Sequence, residues 1–186
     1  MALTDDELKK INPKKNLQKR PTWTEYYMSL AFLVSLRSFD PSSKCGCVII
    51  SSDNRILSTG YNGPIKGSKD EKIPLTRPDR YDFMIHAEEN SLLSYSGSYQ
   101  DIQNAAAYVT TRPCSKCLRG LLQKGITKIV YSMNKTIVVS DKDISNQELM
   151  LSDRNIQIIK IPIEKYKNIL QKINVAIITQ QEKQNE

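Results

Sequence analysis

The spacing of apolar positions changes along this chain, and each change predicts a new element. Between Thr22 and Arg37, Tyr27, Leu30, Ala31 and Val34 recur at helical intervals, with Thr22 or Thr24 able to cap the start. Asp40-Pro41-Ser42-Ser43 reads as a turn. Cys45–Ile50 and Arg55–Tyr61 are strand-like, and the four residues Ser51–Asn54 join them as a hairpin. From Asn62 to about Phe83 the chain is polar and broken by Gly63, Pro64, Gly67, Pro74 and Pro78. A connection of that length inside a domain is functional or disordered. A helix is then predicted over Ile85–Ser94, a strand over Ala106–Thr110 and a helix over Ser115–Lys124. A strand over Lys128–Tyr131, a weaker helix near Ser145–Leu151 and a strand over Ile156–Ile159 follow.

This order predicts an α/β fold: a single mixed β-sheet of about five strands with helices on both faces. Right-handed crossovers would make the last strands parallel. After Pro162, the residues Ile163, Tyr166, Ile169, Leu170, Ile173 and Ile177 share one helical face. Packing on the chain's own core is its expected role, and a subunit contact is the sharper alternative. The expected division is a basic arm over 1–21, a main domain over 22–162, and an amphipathic helix with a polar tail over 163–186. The length, 186 residues, suits one domain with extensions.

The formal charge of +7 is compatible with an anionic partner and equally with a solvated basic surface. Much of it lies in Lys9, Lys10, Lys14, Lys15, Lys19 and Arg20, which read as a loose arm. No apolar run approaches the roughly 20 residues of a membrane helix, and Met1–Glu7 does not open a secretory signal. A soluble cytoplasmic protein without a membrane partner is the expectation. In that setting the paired cysteines Cys45/Cys47 and Cys114/Cys117 point to metal or catalysis rather than disulfides. His86 is the single histidine, which excludes any mechanism that needs two histidines from one chain.

Two segments carry chemistry, each at a predicted helix start: His86-Ala87-Glu88 and Pro113-Cys114-Ser115-Lys116-Cys117. Together they form the H-x-E and P-C-x-x-C signature of zinc nucleobase deaminases. An imidazole and two thiolates are three good ligands for Zn²⁺ and leave a fourth position for water. The Cys-x-x-Cys spacing lets both sulfurs reach one ion across a first helical turn, whose positive end favours thiolate. Glu88, two residues past the ligand, can take a proton from an acidified water and deliver it to the substrate. A structural zinc site is the bland alternative, and it would want a fourth protein ligand. Cys45 or Cys47 could supply one, but they flank Gly46 in a strand and read as small buried residues.

The chain resembles the deoxycytidylate (dCMP) deaminases of the cytidine deaminase superfamily from about Trp23 to Ile161. The resemblance includes Arg37-Ser38-Phe39-Asp40-Pro41-Ser42-Ser43, similar to the family's R-S-x-D-P-S-T segment. It also includes Gly60-Tyr61-Asn62-Gly63-Pro64, similar to its G-Y-N-G loop, and Gly125-Ile126 before a strand ending in Val130-Tyr131. It implies hydrolysis of dCMP to dUMP and ammonia, a step that feeds thymidylate synthesis. It implies Zn²⁺ on His86, Cys114 and Cys117, with Glu88 as proton shuttle. Asn62 would contact the sugar, and Ala87 would stand among the substrate contacts. A multimer, often a hexamer, is implied, with activation by dCTP and Mg²⁺ and inhibition by dTTP.

Arg37, Ser43 and Arg112 are the phosphate candidates because they adjoin the motif segments, though Arg37 could equally close a helix end. The regulatory nucleotide is expected at Gly60, Tyr61, Gly63, Lys66 and Lys69, where glycines free N–H groups to turn toward phosphate and lysines add charge. The plain alternative there is an ordinary turn or mobile loop. Two departures stand out. Gly67 and Ser68 occupy a place where relatives with a second, structural zinc often carry a cysteine, and Arg112 stands where relatives often have a neutral or aromatic residue. A tRNA adenosine deaminase shares the metal motif. The long insertion and the lack of aromatic residues among the basic ones at the N-terminus count against it, so nucleic acid is not the expected partner. A non-catalytic zinc-stabilised binding module is the rival of another class, and Glu88 argues against it. One zinc per chain is therefore expected by elemental analysis, and two tightly held ions would contradict the reading.

Overall fold

In the computed structural model, which describes residues 20–74, 76, 78–133, 141–152, 154–164 and 169, Thr22 caps the first described helix, α1 (Trp23–Ser35). The Thr22 hydroxyl accepts from the Glu25 N–H at 3.2 Å, and the Glu25 carboxylate accepts from the Thr22 N–H at 2.7 Å. This reciprocal pair satisfies two of the helix's orphan donors and selects Thr22 over Thr24 as the cap. Then come β1 (Gly46–Ile50), β2 (Ile56–Tyr61), α2 (Ala87–Ser94) and a single turn α3 (Tyr99–Ile102). The chain continues through β3 (Ala106–Thr111), α4 (Ser115–Gln123), β4 (Lys128–Met133), α5 (Asp141–Ser152) and β5 (Gln157–Lys160). Compared with the sequence reading, α5 starts four residues earlier and α3 is an addition, while the other boundaries move by one or two residues. Residues 1–19 of the proposed arm over 1–21 lie outside the described residues, as do Tyr166, Leu170, Ile173 and Ile177 of the C-terminal stripe. Ile169 of that stripe packs against the α1 side of the core.

The five strands form one mixed sheet in the order β2-β1-β3-β4-β5. β1 is antiparallel to β2 and β3, whereas β3, β4 and β5 run parallel, with α4 and α5 in the connections between them. All five residues of β1 are buried because helices cover both faces. On one face Val48 and Ile50 meet Tyr27, Met28 and Ala31 of α1. On the other, Cys47 and Ile49 meet Ala87 of α2 and Leu118 and Leu121 of α4, with Met150 and Leu151 of α5 against the same cluster.

Two glycines set how closely the helices approach. A Cβ at Gly46 would lie 2.0 Å from the Ala31 carbonyl oxygen of α1, and one at Gly60 would lie 2.3 Å from both Ala87 O and Ser91 N of α2. Both obstacles are backbone, so neither can swing aside. Gly60 thus seats α2, and with it His86, directly on the sheet. Gly60→Ala should lower unfolding stability by at least the roughly 1–3 kcal/mol typical of overpacking, measured by urea titration at constant m-value.

Candidate metal centre

His86 and Cys114 are the N-cap residues of α2 and α4, both extended in φ and ψ, and neither side chain is used as a cap. Cys117 lies in the first turn of α4 and is buried, while Cys114 is partly exposed. His86 Nδ1 stands 3.6 Å from Cys114 Sγ and 3.3 Å from Cys117 Sγ. Tetrahedral Zn²⁺ with bonds of about 2.0–2.1 Å to nitrogen and 2.3 Å to sulfur would set N and S roughly 3.5 Å apart. The observed separations match that edge, and Nδ1 is the nitrogen that faces the sulfurs. Among the described residues these three form the one cluster of possible metal ligands, all ligand atoms within 4.8 Å of one another. Two helix starts aimed at one point favour thiolate over thiol.

Glu88 follows on α2 and is 3% exposed. Its charge is felt by Cys47 on the sheet beneath. The Cys47 thiol is pushed upward first by burial and then by the Glu88 carboxylate, while the hydroxyl of Ser91, 3.3 Å from Cys47 Sγ, pulls the other way. Cys47 is therefore a neutral core thiol. Cys45 is only partly buried, just ahead of β1, with its sulfur 3.6 Å from Thr111 Oγ1. It is not the small buried strand residue expected, because the strand begins at Gly46. Neither cysteine joins the metal cluster.

The G-Y-N-G loop is fastened to this centre. Gly63 and Ile85 exchange both backbone hydrogen bonds, at 3.1 and 2.8 Å, immediately before His86. Asn90 of α2 donates to the Tyr61 carbonyl at 2.9 Å. Asn62 is buried: its Oδ1 accepts from Cys45 N–H at 2.6 Å, and its Nδ2 donates to Ser43 O at 3.0 Å and Asp40 Oδ2 at 3.5 Å. One Oδ1 lone pair remains for another donor.

Asp40 is the hub of this corner. Its Oδ1 accepts from Ser42 N–H at 2.7 Å, Ser43 N–H at 3.0 Å and Arg80 Nη1 at 3.2 Å. The Arg80 and Asp40 side chains are each 5% exposed. The long polar connection is therefore neither a plain loop nor loose throughout: it carries two short 3₁₀ turns and plants Arg80 in the interior. The sequence reading missed Arg80, Asp143 and Gln147. Arg80 falls in a segment without periodicity, and Gln147 falls in a weakly patterned helix. The aspartate of the Asp40-Pro41 turn was the available signal for a buried partner.

The remaining site candidates divide. Ala87, the first residue of α2, is fully buried. Arg37 is exposed beyond the end of α1, and Ser43 is partly buried beside Asn62. Arg112 donates through Nε to Gln147 Oε1 at 3.1 Å and lies over the Tyr131 ring at 5.9 Å, which turns it toward α5. Lys66 and Lys69 are exposed. The motive offered for Gly60 and Gly63 is corrected: neither has positive φ, and only Gly67 in that segment does. Gly60 is paired with Cys47 in the sheet, and the Gly63 N–H is spent on Ile85.

Residues 21–133 match the family model described as "Cytidine and deoxycytidylate deaminase zinc-binding region". The chain belongs to this family. Deoxycytidylate deaminase of Homo sapiens is 34% identical over 119 residues, covering 61% of this chain and 66% of that protein. The match thus spans just under two thirds of that relative. The dCMP deaminase of cyanophage S-TIM5 superposes in its apo form with a TM-score of 0.59 at 25% identity, covering 77% of this chain and all of that one. The same phage enzyme in complex with dCMP and dUMP gives 0.58 at 25% identity over the same shares. Among the described residues no helix is long and apolar enough to cross a membrane.

With zinc in place, iodoacetamide should leave Cys114 and Cys117 unlabelled, and a strong chelator should expose both. Cys47 should stay protected until the chain unfolds. Labelling of Cys47 in step with the other two, read by peptide mass spectrometry, would contradict this partition of the thiols.

Proposed function

We propose that this chain is a zinc-dependent hydrolase that converts dCMP and water to dUMP and ammonia. The observation that carries the reading is His86 Nδ1 set at zinc-edge distance from two sulfurs, with the buried Glu88 on the same helix. The ion, held by His86, Cys114 and Cys117, would supply Lewis acidity that makes a water nucleophilic near neutral pH. The Glu88 carboxylate takes a proton from the water as its oxygen bonds to C4 and passes that proton to ring N3. It then takes the second proton from the new C4 hydroxyl and gives it to the amine as the C4–N bond breaks, so that dUMP and ammonia leave with all protons accounted for. The choice of dCMP is supported by the human and phage relatives.

Asn62 is proposed to accept a hydrogen bond from the deoxyribose through its remaining Oδ1 lone pair, with Ala87 among the substrate contacts. Ser43 is tied directly to Asn62 and joins Arg37 and Arg112 as a phosphate candidate. Regulation by dCTP with Mg²⁺ and by dTTP is proposed at Tyr61, Lys66 and Lys69, with Gly60 and Gly63 as the loop's anchors. Its support is the bridge from Gly63 to Ile85, which would carry loop ordering to the residue before His86. A homo-oligomer, for which a hexamer is one form the resemblance implies, completes the proposal, in a cytoplasmic setting.

Ammonia release from dCMP, dCTP, deoxycytidine and tRNA tests the substrate, and dCMP should be the preferred one. Glu88→Gln should lose about 10²–10⁴-fold in turnover while zinc stays bound; near wild-type turnover would sink the mechanism. dCMP kinetics should be sigmoidal, become hyperbolic with dCTP and Mg²⁺, and be inhibited by dTTP. Hyperbolic kinetics indifferent to both triphosphates would remove the regulatory part alone.

A further inference from the structure

We infer that Gln147 of α5 is a positioning residue for the metal ligand Cys114, an inference that rests on the metal reading above. Gln147 is 1% exposed, an uncharged polar side chain inside the core. Its amide is used at both ends. Nε2 donates to the Pro113 carbonyl at 3.3 Å and to Asp143 Oδ2 at 3.2 Å, while Oε1 accepts from Arg112 Nε at 3.1 Å. One helical turn earlier, Asp143 receives the Ser115 hydroxyl through its backbone carbonyl at 3.3 Å and through its carboxylate. α5 therefore grips the residues on both sides of Cys114: Arg112 and Pro113 before it, Ser115 after it.

The local chain needs that grip. Pro113 has no N–H to donate, and Cys114 occupies the N-cap of α4 without making a side-chain cap bond. Arg112 N–H reaches Met133 O at 3.0 Å and fixes the strand end, but Pro113 and Cys114 lie beyond it. The bond from Gln147 to the Pro113 carbonyl acts on the peptide unit that leads into Cys114. It sets where Sγ stands relative to His86 Nδ1. Groups that hold metal ligands from behind commonly change metal affinity by about 10–100-fold when removed.

A core amide that merely anchors α5 would show the same burial, so the test must separate the two roles. The full chain is loaded with one zinc, or with cobalt as a spectroscopic probe. Gln147→Met keeps length and burial but removes all three bonds. Gln147→Glu keeps the acceptor for Arg112 and loses the donor to Pro113, and it carries the comparison if the first variant fails to fold. Glu148→Gln, on the exposed side of the same helix, is the control and should release zinc at the wild-type rate. Both Gln147 variants should release zinc to excess chelator at least about tenfold faster and shift the visible cobalt bands. A folded Gln147→Glu with unshifted cobalt bands and zinc release within about twofold of wild type, against the about 10–100-fold expected of a ligand-holding group, would overturn the inference. So would a lower melting temperature of the zinc-free chain without any change in the cobalt spectrum. Failure of the wild-type chain to bind zinc would instead defeat the metal reading itself.

Discussion

The structure depends on one geometric demand: an imidazole nitrogen and two sulfurs, 28 and 31 residues apart, must meet at tetrahedral-edge distances. Neither α2 nor α4 can meet it alone, because each supplies ligands from its own start. The two helices must lie on the same face of the sheet with their N-termini side by side. Parallel β3 and β4, with α4 between them as crossover, fix where α4 begins. Gly60 fixes α2, since any side chain there would lift the helix off the sheet and move His86. The two positive helix ends also favour the charge state in which cysteine binds a metal. Topology, close packing and thiolate chemistry thus converge at one point.

Around that point the interior is more polar than its core strands suggest. Asp40 and Arg80 bury opposite charges, and the pair is surrounded by hydrogen bonds from Ser42, Ser43 and Asn62. Deleting one partner of such a pair commonly costs about 3–5 kcal/mol, since the other charge stays buried. Its structural effect is to tie three distant stretches together: the turn after α1, the end of β2 and the long connection before α2. The Gln147 network ties α5 to the residues on either side of Cys114. Both networks use buried polar groups whose partners are supplied, which is what makes them specific rather than costly.

The four cysteines show how far environment divides one chemistry. Cys114 and Cys117 sit at a helix start facing an imidazole. Cys47 lies in the sheet, where burial first and the Glu88 carboxylate second keep it neutral, and Cys45 stands at the strand's edge beside a threonine hydroxyl. The two pairs already differ in the sequence, Cys45 and Cys47 flanking one residue at a strand and Cys114 and Cys117 flanking two at a helix start. The fold brings His86 to the second pair and not to the first.

What the sequence determined by itself was local. Period and punctuation placed every strand and every long helix of the sheet within a few residues, because a side chain's preference for one face is written in its neighbours. The H-x-E and P-C-x-x-C strings picked out the three candidate ligands that meet in space and the proposed proton carrier, because ligand chemistry is a property of residue type. What the tertiary structure decided was every pairing across long separation: Asp40 with Arg80, Asn62 with Cys45, Gln147 with Pro113, and Gly63 with Ile85. None of these leaves a periodic trace, since each joins one residue to one distant partner and the chain between them is free to vary. Gly60 shows the same division in one residue. Its position in a loop motif suggested freedom of backbone, while the fold used it for the absence of a side chain, a need that exists only once α2 is laid upon the sheet.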